Sequence, residues 1–226
     1  MRSYLVAASA AAIALHAGVA QASTVTLFED DFNDGLDSSW NQEDLRFNSS
    51  PFQWATNDEL RRNGGFGDLY ENYTGGDGLA ATASSDAAPG GYDVALVSPS
   101  ISIPADATDV LLSYDANYQN FQNSDRAHTD VTTDGGINWI SILEWSEDHG
   151  SFFGGPNGDG GGEEVELDLS SFAGEEIQFR FRYFEPNGGT LSFYWQVDNV
   201  ALTAVPAPAA LAMLVPAGLA ATRRRR

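Results

Sequence analysis

The sequence contains no cysteine and no lysine. The first absence removes disulfides, thiol nucleophiles and thiolate metal sites together. The second leaves arginine as the only strong base. Of the 11 basic residues, Arg2 and Arg223 to Arg226 lie at the extreme ends, so residues 23–204 hold six arginines against 32 carboxylates, a net charge of −26. Such a surface repels phosphate backbones and anionic lipid, which excludes nucleic-acid binding. Histidine is also scarce: His16 lies near the N-terminus, and only His128 and His149 remain. Neither a G-x-S-x-G elbow nor an H-E-x-x-H metal motif occurs, so the reading is of a protein that is not an enzyme. Two suitably spaced carboxylates would suffice for a glycoside hydrolase, and that alternative stays open because 32 acids single out no pair.

Charge and turn residues are not accompanied by poverty in apolar surface. Aromatic residues make up 12% of the chain and five are tryptophan, enough to bury a core, so the domain is expected to fold.

The apolar stretches sit at the two ends. Met1-Arg2-Ser3-Tyr4 precedes an alanine-rich apolar run that reaches Val19, and Ala20-Gln21-Ala22 supplies the small residues of a signal-peptidase site. Residues 1–22 are therefore read as a signal peptide, with Ser23 first in the mature chain; a retained membrane helix is the alternative. At the other end, residues 205–226 begin Val205-Pro206-Ala207-Pro208, continue through a short apolar segment and finish in Arg223, Arg224, Arg225 and Arg226. Arginines that follow an apolar span remain on the cytoplasmic side, which leaves the rest of the chain across the membrane.

The order V-P-x-P, small apolar segment, arginine cluster resembles the PEP-CTERM sorting signal in its VPLPA-type variant, with Ala207 where the usual motif has glutamate. The resemblance implies export from a Gram-negative bacterium, release of the tail by an exosortase-like sorting enzyme, transient membrane association, and delivery to the cell surface or a biofilm matrix. A permanent C-terminal anchor is the alternative.

Residues 23–204 read as one all-β domain. In Glu176 to Tyr183, Ile177, Phe179, Phe181 and Tyr183 alternate with Gln178, Arg180 and Arg182, one face for a core and one for water. Further strands are expected at Val25–Phe28, Val94–Val97, Val110–Tyr114, Thr129–Thr132, Trp139–Leu143, Val165–Leu169 and Ser192–Leu202, about eight in all. Asp134-Gly135-Gly136 signals a tight hairpin. Trp40 to Gly91 and Gly150 to Gly162, rich in Gly, Asn and Asp, read as long loops. A two-sheet antiparallel β-sandwich of jelly-roll or related type fits this pattern better than a propeller, since no repeat of about 40 residues recurs.

Five separated segments carry a second resemblance: Ala95 to Ile101, Val131 to Trp139, Leu167 to Gly174, Phe179 to Phe181 and Trp195 to Val200. They are similar to bacterial jelly-roll modules of the MAM-like, cleaved-adhesin and choice-of-anchor groups, with galactose-binding-like sandwiches. Members of these groups differ in what they bind.

Two kinds of site are expected. Glu29-Asp30-Asp31 closes the first strand, and ideal alternation puts Asp198 of the last strand on the face of Val200 and Leu202. First and last strands are often neighbours in a jelly roll, and crowded carboxylates favour a hard cation, Ca²⁺. The candidate ligands are Glu29, Asp30 and Asp198, with Asp125 as an addition; the resembling modules imply Asp30 and Asp198 in particular. Solvated surface charge is the alternative. An EF-hand at Asn157 to Gly162 is not supported, because it lacks the third oxygen ligand. The second expected site is aromatic. Trp145, Phe152 and Phe153 flank the glycine-rich loop and could stack on sugar rings of an extracellular polysaccharide, as could Trp54, Tyr70 and Tyr73; packing against the sandwich is the alternative.

Overall fold

The computed structural model describes residues 23–36, 38–46, 54–62, 71–84, 92–120, 124–155, 161–186 and 193–207. The signal segment, Tyr70, and the tail from Pro208 onward lie outside them.

Two antiparallel sheets face each other. The first is ordered β10 (Glu163–Asp168), β7 (Ala107–Gln119), β12 (Tyr194–Pro206), β4 (Ala81–Ser84), β3 (Ala55–Thr56), and β1 (Val25–Asp30) also pairs with β12. The second is ordered β2 (Asn41–Asp44), β5 (Asp93–Val97), β11 (Glu176–Phe184), β8 (Arg126–Thr132), β9 (Ile140–Trp145), with β6 (Ile101–Ser102) added to β11. The expected β-sandwich is the observed architecture, and first and last strands are neighbours.

Alternation explains the inner layer. Ile177, Phe179, Phe181 and Tyr183 of β11 are all buried, opposite Val110, Leu112, Tyr114, Ala116 and Tyr118 of β7 in one cluster. Aromatic edges and faces lock it: Tyr114 meets Phe181 at 4.9 Å, Trp195 meets Phe181 at 5.5 Å, and Trp40 meets Phe28 at 5.3 Å. In a chain without disulfides each such ring, fully buried, contributes about 1.5–3 kcal/mol of transfer free energy.

The region from Trp40 to Gly91 departs from expectation. It holds β2, β3, β4 and a short helix, α1 (Asn57–Arg62). Strand β4, Ala-Thr-Ala-Ser, is buried on both faces, so its small residues show no alternation to read. Strand β2, Asn-Gln-Glu-Asp, is polar because it lies at a sheet edge. Trp54 is buried against Trp195 and Phe181, which is packing and not display. The hairpin around Asp134 also opens wider than a two-residue turn, spanning Thr133 to Trp139 with Gly135 and Gly136 at positive φ. At the far end, β12 continues through Val205 and Pro206, opposite Asp109 and Ala107 of β7, so two residues of the V-P-x-P motif belong to the sheet.

Candidate functional site

Strand β12 changes partner half-way along. Its first part pairs with β4 as far as Val197↔Ala81, and its second pairs with β1 from Val200↔Asp30 onward. Between them the strand bulges: Asp198 faces Asp115 of β7, whereas Ala201 faces Ser113, so three steps on β12 match two on β7. Asn199 absorbs the extra residue at φ 49, a left-handed conformation that asparagine tolerates better than most residues.

The bulge reverses the alternation and with it one expectation. Trp195 and Val197 point into the core before it, Val200 and Leu202 after it, so Asp198 falls on the outer face with Tyr194 and Gln196. It is nonetheless fully buried, because chain from the first long insert lies over it. A Cβ on Gly76 would stand 2.1 Å from the Asp198 Oδ2, so only glycine permits this closeness. Asn72 Nδ2 donates to Asp198 Oδ2 at 2.6 Å and the Asn199 N–H donates to Oδ1 at 2.7 Å. Burial, and then the like charges of Asp115 and Asp31, push the carboxyl pKa up to about 6 against those hydrogen bonds.

The covering segments are stapled to the sheet by side-chain amides. Gln196 accepts from the Tyr73 N–H at 2.8 Å and donates to the Glu71 carbonyl at 3.0 Å. Asn117, fully buried on the outer face of β7, donates to the carbonyls of Tyr73 and Ser151, both at 3.0 Å. Gln119 donates to the carbonyl of Gly150 at 3.3 Å. The glycine-rich loop thus lies against the first insert, and a Cβ on Gly162 would meet the Thr74 carbonyl oxygen at 1.8 Å. Glu163 closes the loop, hydrogen-bonded to His149 at 3.0 Å and to the Gly150 N–H at 3.2 Å. The His149 hydrogen bond holds the Glu163 carboxyl below the usual range.

The structure does not gather the four expected metal ligands. Asp30 is on the core side of β1, where Trp40 Nε1 donates to it at 2.6 Å and the Phe32 N–H at 2.8 Å. Glu29 alternates to the exposed side. Asp125 is buried beside Asn120, at the far end of β7, where Tyr183 donates to it at 2.8 Å. Since Asp198 faces Asp115 on β7, the separation is five residues of strand, roughly 16 Å. Among the described residues no three of His, Cys, Asp and Glu are grouped closely enough to hold a metal ion, so the expected set does not fit Ca²⁺ as a set. The remaining focus is Asp198 with Asp31 and Asp115. Beside it, an open cleft of about 840 Å³ is lined by Glu29, Asp30, Asp31, Asp34, Ser39 and Asn199 among others, a surface rich in carboxylates.

The aromatic trio also separates. Trp145 is 8% exposed, stacked on His149 at 3.9 Å and on Tyr118 at 6.1 Å. Phe153, at φ 46, stacks on Tyr194 and donates its N–H to the Tyr194 hydroxyl at 3.0 Å. Phe152 is presented to solvent at 47% exposure, edge-on to Phe193. Of the three, Phe152 alone offers a large open surface.

In fold, the chain is similar to cleaved adhesin domains. The K3 and K1 cleaved adhesin domains of Lys-gingipain from Porphyromonas gingivalis W83 superpose with TM-scores of 0.54 and 0.53 at 18% identity, over 80% of this chain and 99% and 97% of theirs. A family 11 carbohydrate-binding module from Clostridium thermocellum, solved with a mixed-linked tetrasaccharide, is more distant, at a TM-score of 0.42 and 13% identity over 82% of this chain and 97% of its own. No family model matches the sequence, and no curated protein matches it. The adhesin likeness establishes the sandwich and leaves activity to the residues.

Sequence reasoning missed Asn72, Asn117, Gln119, Gln196 and Asn199. A signal for them existed: Asp115, Asn117 and Gln119 alternate with Ala116 and Tyr118, and Gln196 alternates with Trp195 and Val197. It marks an outer face, but alternation carries no information that loops will bury that face.

Proposed function

We propose that this chain is a non-catalytic, exported module of a bacterial surface or extracellular matrix that engages extracellular polysaccharide. The observation that carries the reading is the likeness of fold to cleaved adhesin domains, across almost their whole length. The leader and the sorting-type tail add support from the sequence. In this reading signal peptidase cuts after Ala22, an exosortase-like enzyme processes the tail, and the sandwich reaches the outside of a Gram-negative cell or its biofilm. Intact-mass measurement on protein from the surface fraction of the native host tests it: a chain starting at Ser23 and ending before Arg223 is expected, and full-length chain in the cytosol would overturn it.

The reading includes Ca²⁺, at Asp198 alone among the four expected ligands. An oxygen-coordinated cation there would offset the buried Asp198 carboxylate by itself, since among the described residues no three of His, Cys, Asp and Glu converge on one point. Holding the loop over β12 is the chemistry it would supply. Adding millimolar Ca²⁺ after EDTA treatment is expected to raise the melting temperature, and an unchanged midpoint would remove calcium from the reading.

A further inference from the structure

A second cleft lies on the other sheet, away from Asp198 and Phe152. It has a volume of about 520 Å³, within the roughly 300–1,000 Å³ of small-ligand clefts. Three adjacent strands build it: β8 supplies Arg126 and His128, β9 supplies Glu144 and the chain at Trp145, whose ring packs on the core side, and β11 supplies Phe184. Register brings them together, since Arg126 is opposite Phe184 and His128 is opposite Glu144. Ser146 and Pro186 complete the rim. Residues on paired strands hold their positions better than residues on loops.

The ring of Phe184 is held in place. The Arg182 guanidinium lies over it at 4.3 Å and the His128 ring meets it edge-on at 4.9 Å. Arg182 is itself fixed by paired hydrogen bonds to Asp93 at 2.8 and 2.7 Å. Desolvation holds the His128 imidazole below its usual pKa, so near neutral pH it has both a donor and an acceptor nitrogen.

From this arrangement we infer that the cleft between β8, β9 and β11 binds a neutral saccharide. Phe184 and Pro186 give apolar surface for C–H faces. Arg126 and His128 donate hydrogen bonds, and Glu144 and Ser146 accept them, a mixture that matches a ring of hydroxyls better than it matches an apolar partner. The charge of the domain decides against an acidic saccharide, because six arginines against 32 carboxylates repel polyanions at long range. The inference rests on the polysaccharide reading above and assigns it a place.

Isothermal titration of the full chain with neutral glucan, mannan and xylan hexasaccharides, and with hexagalacturonate, tests it. Saturable binding of at least one neutral oligomer is expected, weakened about tenfold or more by Glu144→Gln and by Phe184→Ala and unchanged by Phe152→Ala. Glu144 is exposed, so E144Q keeps the test valid if F184A fails to fold. Neutral binding that survives E144Q and is lost in F152A would overturn this cleft and leave the polysaccharide reading in place. Binding of hexagalacturonate alone would overturn the neutral class. Absence of saturable binding to any of these oligomers overturns the cleft, and a blank glycan array would remove the polysaccharide reading as well.

Discussion

Asp198 shows how one side chain can carry a structural conflict. Its carboxyl is buried and its pKa lies near 6, above the ordinary 3.8. Between about pH 4 and 6 the folded chain therefore keeps a proton that the unfolded chain has shed. The stability from this group is complete below about pH 4 and is lost as pH rises through 6, a loss on the order of 3 kcal/mol for two units. Asp198→Asn mimics the protonated acid, so in EDTA at pH 7.5 it is expected to melt higher than the parent, and the two curves should converge toward pH 4. With Ca²⁺ added the order should narrow or reverse, because the substitution removes the cation's partner. Asn117 behaves differently, as a neutral staple. Asn117→Ala leaves the Tyr73 and Ser151 carbonyls without their donor and is expected to cost about 2–3 kcal/mol in urea unfolding. Neither role is legible in the sequence: ideal alternation puts Asp198 on the face of Val200 and Leu202, and the bulge that separates them leaves no mark in the local pattern.

At the level of elements, strands with strong alternation were readable and weak ones were not. The eight expected strands all exist, with ends moved by a few residues, because Val, Ile, Phe and Tyr at every second position leave little choice of face. β2, β3, β4 and β6 escaped because they are short, polar or made of small residues. The bulge and the close-packed glycines make two further tests. Asn199→Val is expected to cost about 1–2 kcal/mol more than Asn199→Gly, since both lose the hydrogen bond to Asp115 but only valine is strained at φ 49. Gly162→Ala should force the glycine-rich loop away from Thr74, seen as faster proteolysis in residues 149–162 together with a lower melting temperature.

For the molecule as a whole, net charge is a long-range influence that acts outside the core. A domain with 32 carboxylates and six arginines repels itself, and a rise in salt from about 0.01 to 0.15 M shortens the screening length from about 30 to 8 Å. The melting temperature is expected to rise over that range without Ca²⁺; a flat response would mean that the ion pairs Arg180–Asp130 and Arg182–Asp93, screened by the same salt, offset the repulsion. Alternation in β11 predicts a wet face for its arginines, yet Arg180 is nearly buried, with Asp130 at 2.8 Å and the Trp139 ring at 4.2 Å.

Composition and period by themselves determined the two-sheet class, the aromatic core and the exclusion of thiol chemistry, since these depend on counts and on spacing along one strand. Which carboxylates share a site, which aromatics stay open and which amides hold the loops were decided only by the tertiary structure. One inserted residue in β12 turns a side chain to the opposite face, and pairing between strands distant in sequence sets who meets whom; neither is written in the local pattern.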